Sequence, residues 1–396
     1  MRRLIERVGV ERFSRWEERV RTYAVAHLPT RWVTGRYSQG RETFLHTLRN
    51  ETVDAPYDPP EAMAREVWGV TFQSPLMNAA GMFKTGACYD LVADQGAGAY
   101  LAGTFTPEPR AGNDLWGVKR PFLPLPRSGA SLNSLGLPNP GFREGGGAER
   151  RREQLGYEGS AREILASVET RPGVPLGASV MGTPQKTGED GYAEEIVEGL
   201  EAVEAAGVDF AEINESCPNT DAELPQDAGI ETRLQHVADR FLEGSDLPVV
   251  VKFSTDTPPG QVEHLVDLLI DCGFHGVNFG NTSEAYSTYR DTIRDSERGA
   301  YDAFIDNIGG GIGGRPIRER SLELATRAVE RVNERDPDRD FLVVRTGGVE
   351  TQEDIEASEQ HGIGMNQWFT GYWDSFADHG HDVYRAVLPE TPGSRI

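Results

Sequence analysis

From about residue 70 onward, short apolar runs alternate with stretches in which apolar positions recur every three or four residues. The runs fall at 75–80, 99–105, 174–180, 208–213, 247–253, 276–279, 341–344 and 365–369. They have strand length and are flanked by turn-forming residues. Helical spacing fills 192–206, 229–242, 260–272, 317–333 and 352–361. Eight strands, most followed by a helix, is the pattern of an α/β protein built as a (β/α)8 TIM barrel. An open doubly wound sheet is the runner-up, but no GxGxxG opens a helix after the first strand. Two connections break the rhythm, 106–161 and 283–316, both irregular and the first rich in Pro and Gly. Loops of that length in a compact domain usually carry function.

Ahead of the barrel the pattern changes. Trp16, Val20 and Tyr23 recur at helical spacing among Arg12, Arg15 and Arg19. Pro29 and Gly35 are expected to interrupt this helix, and Pro56-Tyr57-Asp58-Pro59-Pro60 reads as a linker. The organisation predicted is therefore a basic helical extension and linker over 1–65 and the barrel over 66–396. Residues 1–50 hold 11 Arg, no Lys and 5 Glu, a formal +6 in a chain whose total is −23. One reading is an appendage docked on an acidic body. The other is a peripheral membrane contact through residues 1–50, which basic and aromatic residues on one helix suit.

The acidic total argues against nucleic acid as a partner, since phosphate binding needs a basic surface. Three cysteines without CxxC spacing (Cys88, Cys217, Cys272) give no disulfide framework and call for no metal or iron–sulfur cluster. No apolar run approaches the ~18 residues of a membrane span. A cytoplasmic protein is expected, with the inner face of the membrane as the alternative location.

In such a barrel, chemistry belongs where the strands end. The fourth run ends Glu212-Ile213-Asn214-Glu215-Ser216-Cys217-Pro218-Asn219-Thr220. Pro218 cannot donate to a ladder, so Cys217 is left at a strand end between two amides. A thiol there can take a proton, attack a carbon or bind a metal; a small buried cysteine beside a turn is the bland alternative. Other runs end in Asn78 to Lys84, in Lys252, in Asn281-Thr282, in Arg345-Thr346-Gly347-Gly348 and in Thr370-Gly371. Singly, each could be a snorkelling lysine, a cap or a turn. Together at one mouth they are hard to explain as turn chemistry. The glycines at 309–314 and 347–348 precede the last barrel helices, where bare N–H groups form a phosphate cradle. A phosphate-bearing cofactor follows, and Lys252 could hold the negative charge of a reduced flavin.

These residues resemble the dihydroorotate dehydrogenases, FMN-dependent enzymes of pyrimidine synthesis, from about Gly69 to about Tyr372. The resemblance rests on Asn78-Ala79-Ala80-Gly81 with Lys84, Gly103-Thr104-Phe105-Thr106-Pro107, the stretch from Ser131 to Asn139, and Asn214 to Asn219. It continues through Val251-Lys252, Asn281-Thr282, Gly310 to Gly314, Thr346 to Glu350 and Phe369-Thr370-Gly371. It implies that Cys217 is the base that removes the C5 proton of dihydroorotate while hydride leaves C6 for the flavin. It implies orotate contacts from Lys84, Asn133, Asn214, Asn219 and Asn281. For FMN it implies Ala80, Gly81, Thr104, Lys252 and Thr282, with the phosphate at the backbones around Gly310, Gly311, Gly347, Gly348, Phe369 and Thr370. One lysine for a carboxylate and several amides for a ring edge do complement a flat anion.

The active-site phrases are most similar to the soluble subclass, which implies fumarate as electron acceptor and a homodimer. The extension and the phrase Thr106 to Arg110 resemble the quinone-linked subclass, so fumarate and a quinone both stand as acceptors. Phe83 replaces a polar residue common beside the lysine in that subclass. Glu215 and Arg345 stand where the family usually has an aliphatic residue and Gly. A charge on the outward face of a barrel strand is costly unless paired, so Glu215 is expected to meet a cation under the helices. Two other functions remain open: an FMN-dependent oxidoreductase of another dihydropyrimidine-like substrate, and a non-catalytic barrel binding a phosphorylated metabolite. Lys84 weighs against an uncharged substrate.

Overall fold

The computed structural model describes residues 8–184, 189–215 and 229–388. All eight anticipated strands are present: β1 (Leu76–Asn78), β2 (Tyr100–Phe105), β3 (Leu176–Val180), β4 (Phe210–Asn214), β5 (Val249–Phe253), β6 (Gly276–Phe279), β7 (Leu342–Thr346) and β8 (Met365–Trp368). They pair in parallel in the order β1-β8-β7-β6-β5-β4-β3-β2. The last seam, between β1 and β2, is made differently. The Asn78 side chain accepts from Leu101 N at 3.2 Å and donates to Leu101 O at 2.7 Å. On either side, Gly98 N donates to Leu76 O and Gly81 N to Gly103 O, both at 2.8 Å. An amide side chain carries the same donor and acceptor as a peptide group, so it substitutes for one rung of the ladder. The barrel is thereby closed.

The helices follow the predicted spacing because each has one apolar stripe to bury. In Val262–Cys272 the buried residues are Val262, Leu265, Val266, Leu269 and Ile270, an i, i+3, i+4, i+7, i+8 stripe against the barrel. Arg345 leaves β7 on the outer face and is wholly buried beneath two such helices. It donates to Ser321 Oγ (3.2 Å), Ser358 Oγ (3.0 Å) and the carbonyls of Asp354 and Arg318 (each 3.2 Å). Burial lowers the guanidinium to about 10, so it stays charged near neutrality.

The two long connections meet each other. Phe122–Leu125 and Ala130–Asn133 form a hairpin in the first, and Gly311–Gly314 from the second pairs with it, Gly311 opposite Asn133. The glycine run is thus partly a strand of a three-stranded antiparallel sheet standing over the mouth.

The extension forms two helices, α1 (Val10–His27) and α2 (Thr30–Leu48). Pro29 does end the first helix, at the N-cap of the second, but Gly35 lies inside α2 and interrupts nothing. One helical glycine costs only about 1 kcal/mol, less than burying Val33 and Leu48 in the same helix returns. The pair packs on the hairpin and on the helix Thr370–His379: Phe122 N donates to Ser38 Oγ at 2.9 Å, and Phe44 meets Trp373 and Phe376 edge-on, each at 5.7 Å. Among the described residues no helix is long and apolar enough to cross a membrane.

Asn78→Ala should strip two buried peptide groups of their partners and destabilise the fold by about 2–4 kcal/mol. Urea unfolding measures this, and a loss below about 0.5 kcal/mol would show that the seam does not depend on this amide.

Candidate active site

The strand ends converge on one cleft. It is lined by all the anticipated residues among those described except two: Lys84, Asn133, Asn214, Asn281, Ala80, Gly81, Thr104, Lys252, Thr282, Gly347, Gly348, Phe369 and Thr370. Gly310 and Gly311 do not line it. Gly310 sits behind Asn133, whose carbonyl oxygen would lie 2.2 Å from a Cβ there, and Gly311 pairs with Asn133 in the sheet. Gly313 and Gly314 face the cleft instead. Cys217 and Asn219 lie outside the described residues; β4 delivers the chain to Asn214 and Glu215 at the mouth.

The amides are held by one another. Asn281 Nδ2 donates to Asn214 Oδ1 (3.2 Å), Asn214 Nδ2 to Thr104 Oγ1 (3.2 Å), and Thr104 shares a hydroxyl contact with Ser179 (2.9 Å). Glu215, at the base of the same segment, pairs with Arg233 at 3.0 Å, both side chains nearly fully buried. The cation expected under the helices is therefore Arg233, on the helix Ile230–Arg240. Such a pair fixes geometry more than it adds stability, because both charges have left water.

Below the cleft the barrel interior is polar. Lys252 Nζ donates to Gln367 Oε1 at 3.0 Å and lies 3.7 Å from Glu212 Oε1. Glu212 Oε2 accepts from Asn278 Nδ2 and Gln367 Nε2, both at 2.8 Å. Thr346 Oγ1 lies 2.9 Å from both Asn278 Oδ1 and Gln367 Oε1, completing the network. Glu212 neutralises the ammonium in a medium where a lone charge would be very unfavourable. Its place in this network had no signal in the linear pattern beyond a charge inside an apolar strand.

The cleft fits a phosphate-bearing flavin on this chain's own features. Thr282 Oγ1 is buried with no hydrogen-bond partner. A Cβ on Gly313 would come 3.3 Å from Thr282 Cγ2, so glycine keeps the backbone bare at that point. Thr370 and Gly371 open the ten-residue helix Thr370–His379 at the cleft, presenting unpaired N–H groups and the positive end of its dipole.

A second cavity, of about 370 Å³, lies between α1, α2 and the barrel. Sequence reading missed it, because its walls come from separate stretches: α1, α2, the hairpin and the helix Thr370–His379. Only the spacing of Trp16 and Val20 hinted at an apolar stripe. Ser131 and Thr370 line both cavities, and their hydroxyls are 2.8 Å apart. In the wall of the second cavity Arg21 bonds Glu17 (2.6 Å) and Asp374 (3.2 Å), and Tyr37 donates to Glu17 (2.7 Å). Burial pushes the Asp374 carboxyl up to about 7 despite the Arg21 charge.

A closed parallel barrel with bare glycine backbone and a buried ammonium group gathered at its strand ends is a (β/α)8 barrel whose cleft sits at the C-terminal mouth. The sequence model of the family described as "Dihydroorotate dehydrogenase" matches residues 62–382. A Mycobacterium marinum protein named "Dihydroorotate dehydrogenase (quinone)" is 30% identical over 318 residues, covering 80% of this chain and 76% of its own length. One of the same name from Mycobacteroides abscessus is 27% identical over 364 residues, 90% and 86% of the two chains. In fold, the chain is similar to an Eimeria tenella DHODH crystallised with ferulenol, with TM-score 0.68, 18% identity and coverage of 88% and 89%. The chain belongs to the dihydroorotate dehydrogenase family.

Asp374 supplies a pH test. Its folded pKa stands above the unfolded value of about 3.9, so the folded state binds the proton more tightly and loses stability as pH rises between the two values. The stability of the wild type relative to Asp374→Asn should fall from about pH 4 to about pH 7 and then level off. Melting temperatures of both proteins across that range check it; parallel curves would show that Asp374 titrates normally.

Proposed function

We propose that the chain oxidises dihydroorotate to orotate in pyrimidine biosynthesis, with FMN in the strand-end cleft and a quinone, held in the second cavity, as electron acceptor. The observation that carries this reading is the shared wall: an amide- and ammonium-lined cleft and a largely apolar cavity meet at Ser131 and Thr370. Fumarate, a small dianion, has no use for a cavity walled by Phe13, Trp16, Val20 and Phe44. The relatives' names carry the word quinone.

In this reading the Lys84 ammonium takes the substrate carboxylate, and Asn133, Asn214, Asn219 and Asn281 grip the ring edge. That choice favours a carboxylate-bearing dihydropyrimidine over an uncharged one. Cys217 removes the C5 proton; a thiol of ordinary pKa about 8.5 becomes a usable base once its surroundings favour the thiolate. FMN, when bound, would supply the two-electron acceptor for the hydride leaving C6. Lys252, restrained by Gln367 and Glu212, places positive charge where negative charge develops on reduction. Overall, dihydroorotate gives up two electrons and two protons, and a quinone gains both as quinol.

A lipid-soluble acceptor also accounts for the outside of α1 and α2. The large apolar side chains exposed among the described residues are Val8, Trp16, Val20, Tyr23, Leu28 and Trp32, all on this segment. Interleaved with arginines, they suit a peripheral contact with an anionic membrane surface.

Cys217→Ala should bind FMN, remain yellow, and lose at least about 100-fold in dihydroorotate oxidation. Anaerobic mixing with dihydroorotate reads this as flavin bleaching; retention of most of the bleaching rate would refute the base assignment. In the wild type, re-oxidation by a soluble quinone should outpace re-oxidation by fumarate, and the reverse order would overturn the acceptor half of the proposal.

A further inference from the structure

Lys252 lines the cleft, and Glu212, the carboxylate behind it, does not. On β4 Glu212 and Asn214 are two residues apart and share the inner face, so the carboxylate lies one layer below the amide at the mouth. It is 1% exposed, and its Oε1 accepts no hydrogen bond from any described residue, although the Lys252 ammonium stands 3.7 Å away. Leaving one oxygen of a buried carboxylate unsatisfied is unfavourable, and a valine or leucine in this strand would avoid it. Packing alone gives no reason for the charge.

The neighbours of Glu212 all present donors to it. Asn278 Nδ2 and Gln367 Nε2 both point at Oε2, each at 2.8 Å. An amide that turns its NH2 group one way turns its carbonyl oxygen the other. The Gln367 oxygen is thereby aimed at Lys252 Nζ (3.0 Å) and the Asn278 oxygen at Thr346 Oγ1 (2.9 Å). Glu212 thus acts on the ammonium twice: it holds it in place through Gln367, and it offsets its charge directly. Opposite unit charges 3.7 Å apart act on a third group as a dipole, far more weakly than a lone cation would.

We propose that Glu212 is a positioning residue that sets the reduction potential of the flavin by moderating the positive charge Lys252 presents to the cleft. The assignment rests on the flavin reading above and adds to it the group that balances the two half-reactions. A hydride delivers two electrons and one proton, so one unit of negative charge has to be held once it has arrived. A lone ammonium would hold that charge firmly and release it only to a strongly oxidising acceptor. With Glu212 behind it, Lys252 favours reduction by less, and the two electrons stay available to a quinone.

The test uses the flavin-loaded full chain and reads the midpoint potential by spectroelectrochemistry for wild type, Glu212→Gln and Glu212→Asp. The first variant keeps the length and removes the charge; the second keeps the charge and shortens the reach. Glu212→Gln should favour flavin reduction about tenfold or more, a rise of about 30 mV for a two-electron couple. Glu212→Asp should stay within about threefold of wild type. An unchanged or lowered potential in Glu212→Gln overturns the proposal. So does a shift in Glu212→Asp as large as that in Glu212→Gln, which would follow shape and not charge. Failure of Glu212→Gln to hold flavin would mark the carboxylate as scaffold and overturn it as well, whereas a Glu212→Asp protein that does not load leaves the sign in Glu212→Gln to decide. If wild type holds no flavin, or dihydroorotate does not bleach it, the functional reading itself fails, and this assignment with it.

Discussion

The parallel ladder closes at a seam where the Asn78 side chain takes the place of a backbone rung between two backbone bonds, and that closure sets the mouth. Asn78 supplies the one rung that β1 and β2 do not make with their own backbones, and the eight parallel strands then form a ring. Their C-terminal ends then share one rim. Residues as far apart in sequence as Lys84 and Thr370 become neighbours there because a barrel has one mouth, not because anything in the sequence joins them.

The interior below that rim departs from an apolar core. Glu212, Lys252, Asn278, Thr346 and Gln367 form a connected set in which each charge has a counter-charge or an amide. Buried ionic networks seldom add stability over a well-packed apolar alternative. Their benefit is a fixed ammonium group in the floor of the cleft, held by Gln367 and Glu212. Glu215–Arg233 and the buried Arg345 do similar work outside the strands, binding helices to the barrel through specific donors.

The two N-terminal helices turn an enzyme cleft into a two-chamber device. Their inner stripes and the barrel's hairpin enclose an apolar space, and their outer aromatics remain exposed. Ser131 and Thr370 line both chambers, and Phe122 in the wall of one meets Phe369 in the wall of the other.

Strand and helix content, the barrel count and the polar strand ends were legible in the linear pattern, because they depend on local periodicity and on residue chemistry at turns. Cys217 and Lys252 stood out for the same reason. The dual role of the glycine run was not legible: whether Gly310 to Gly314 cradles a ligand or pairs with Asn133 depends on a hairpin nearly 180 residues away in sequence. Nor could the pattern show that Gly35 continues a helix, since packing outweighs a small local preference. The second cavity belongs wholly to tertiary structure. An enclosed space is a property of several surfaces at once, and the stretches that wall it are joined only by the fold.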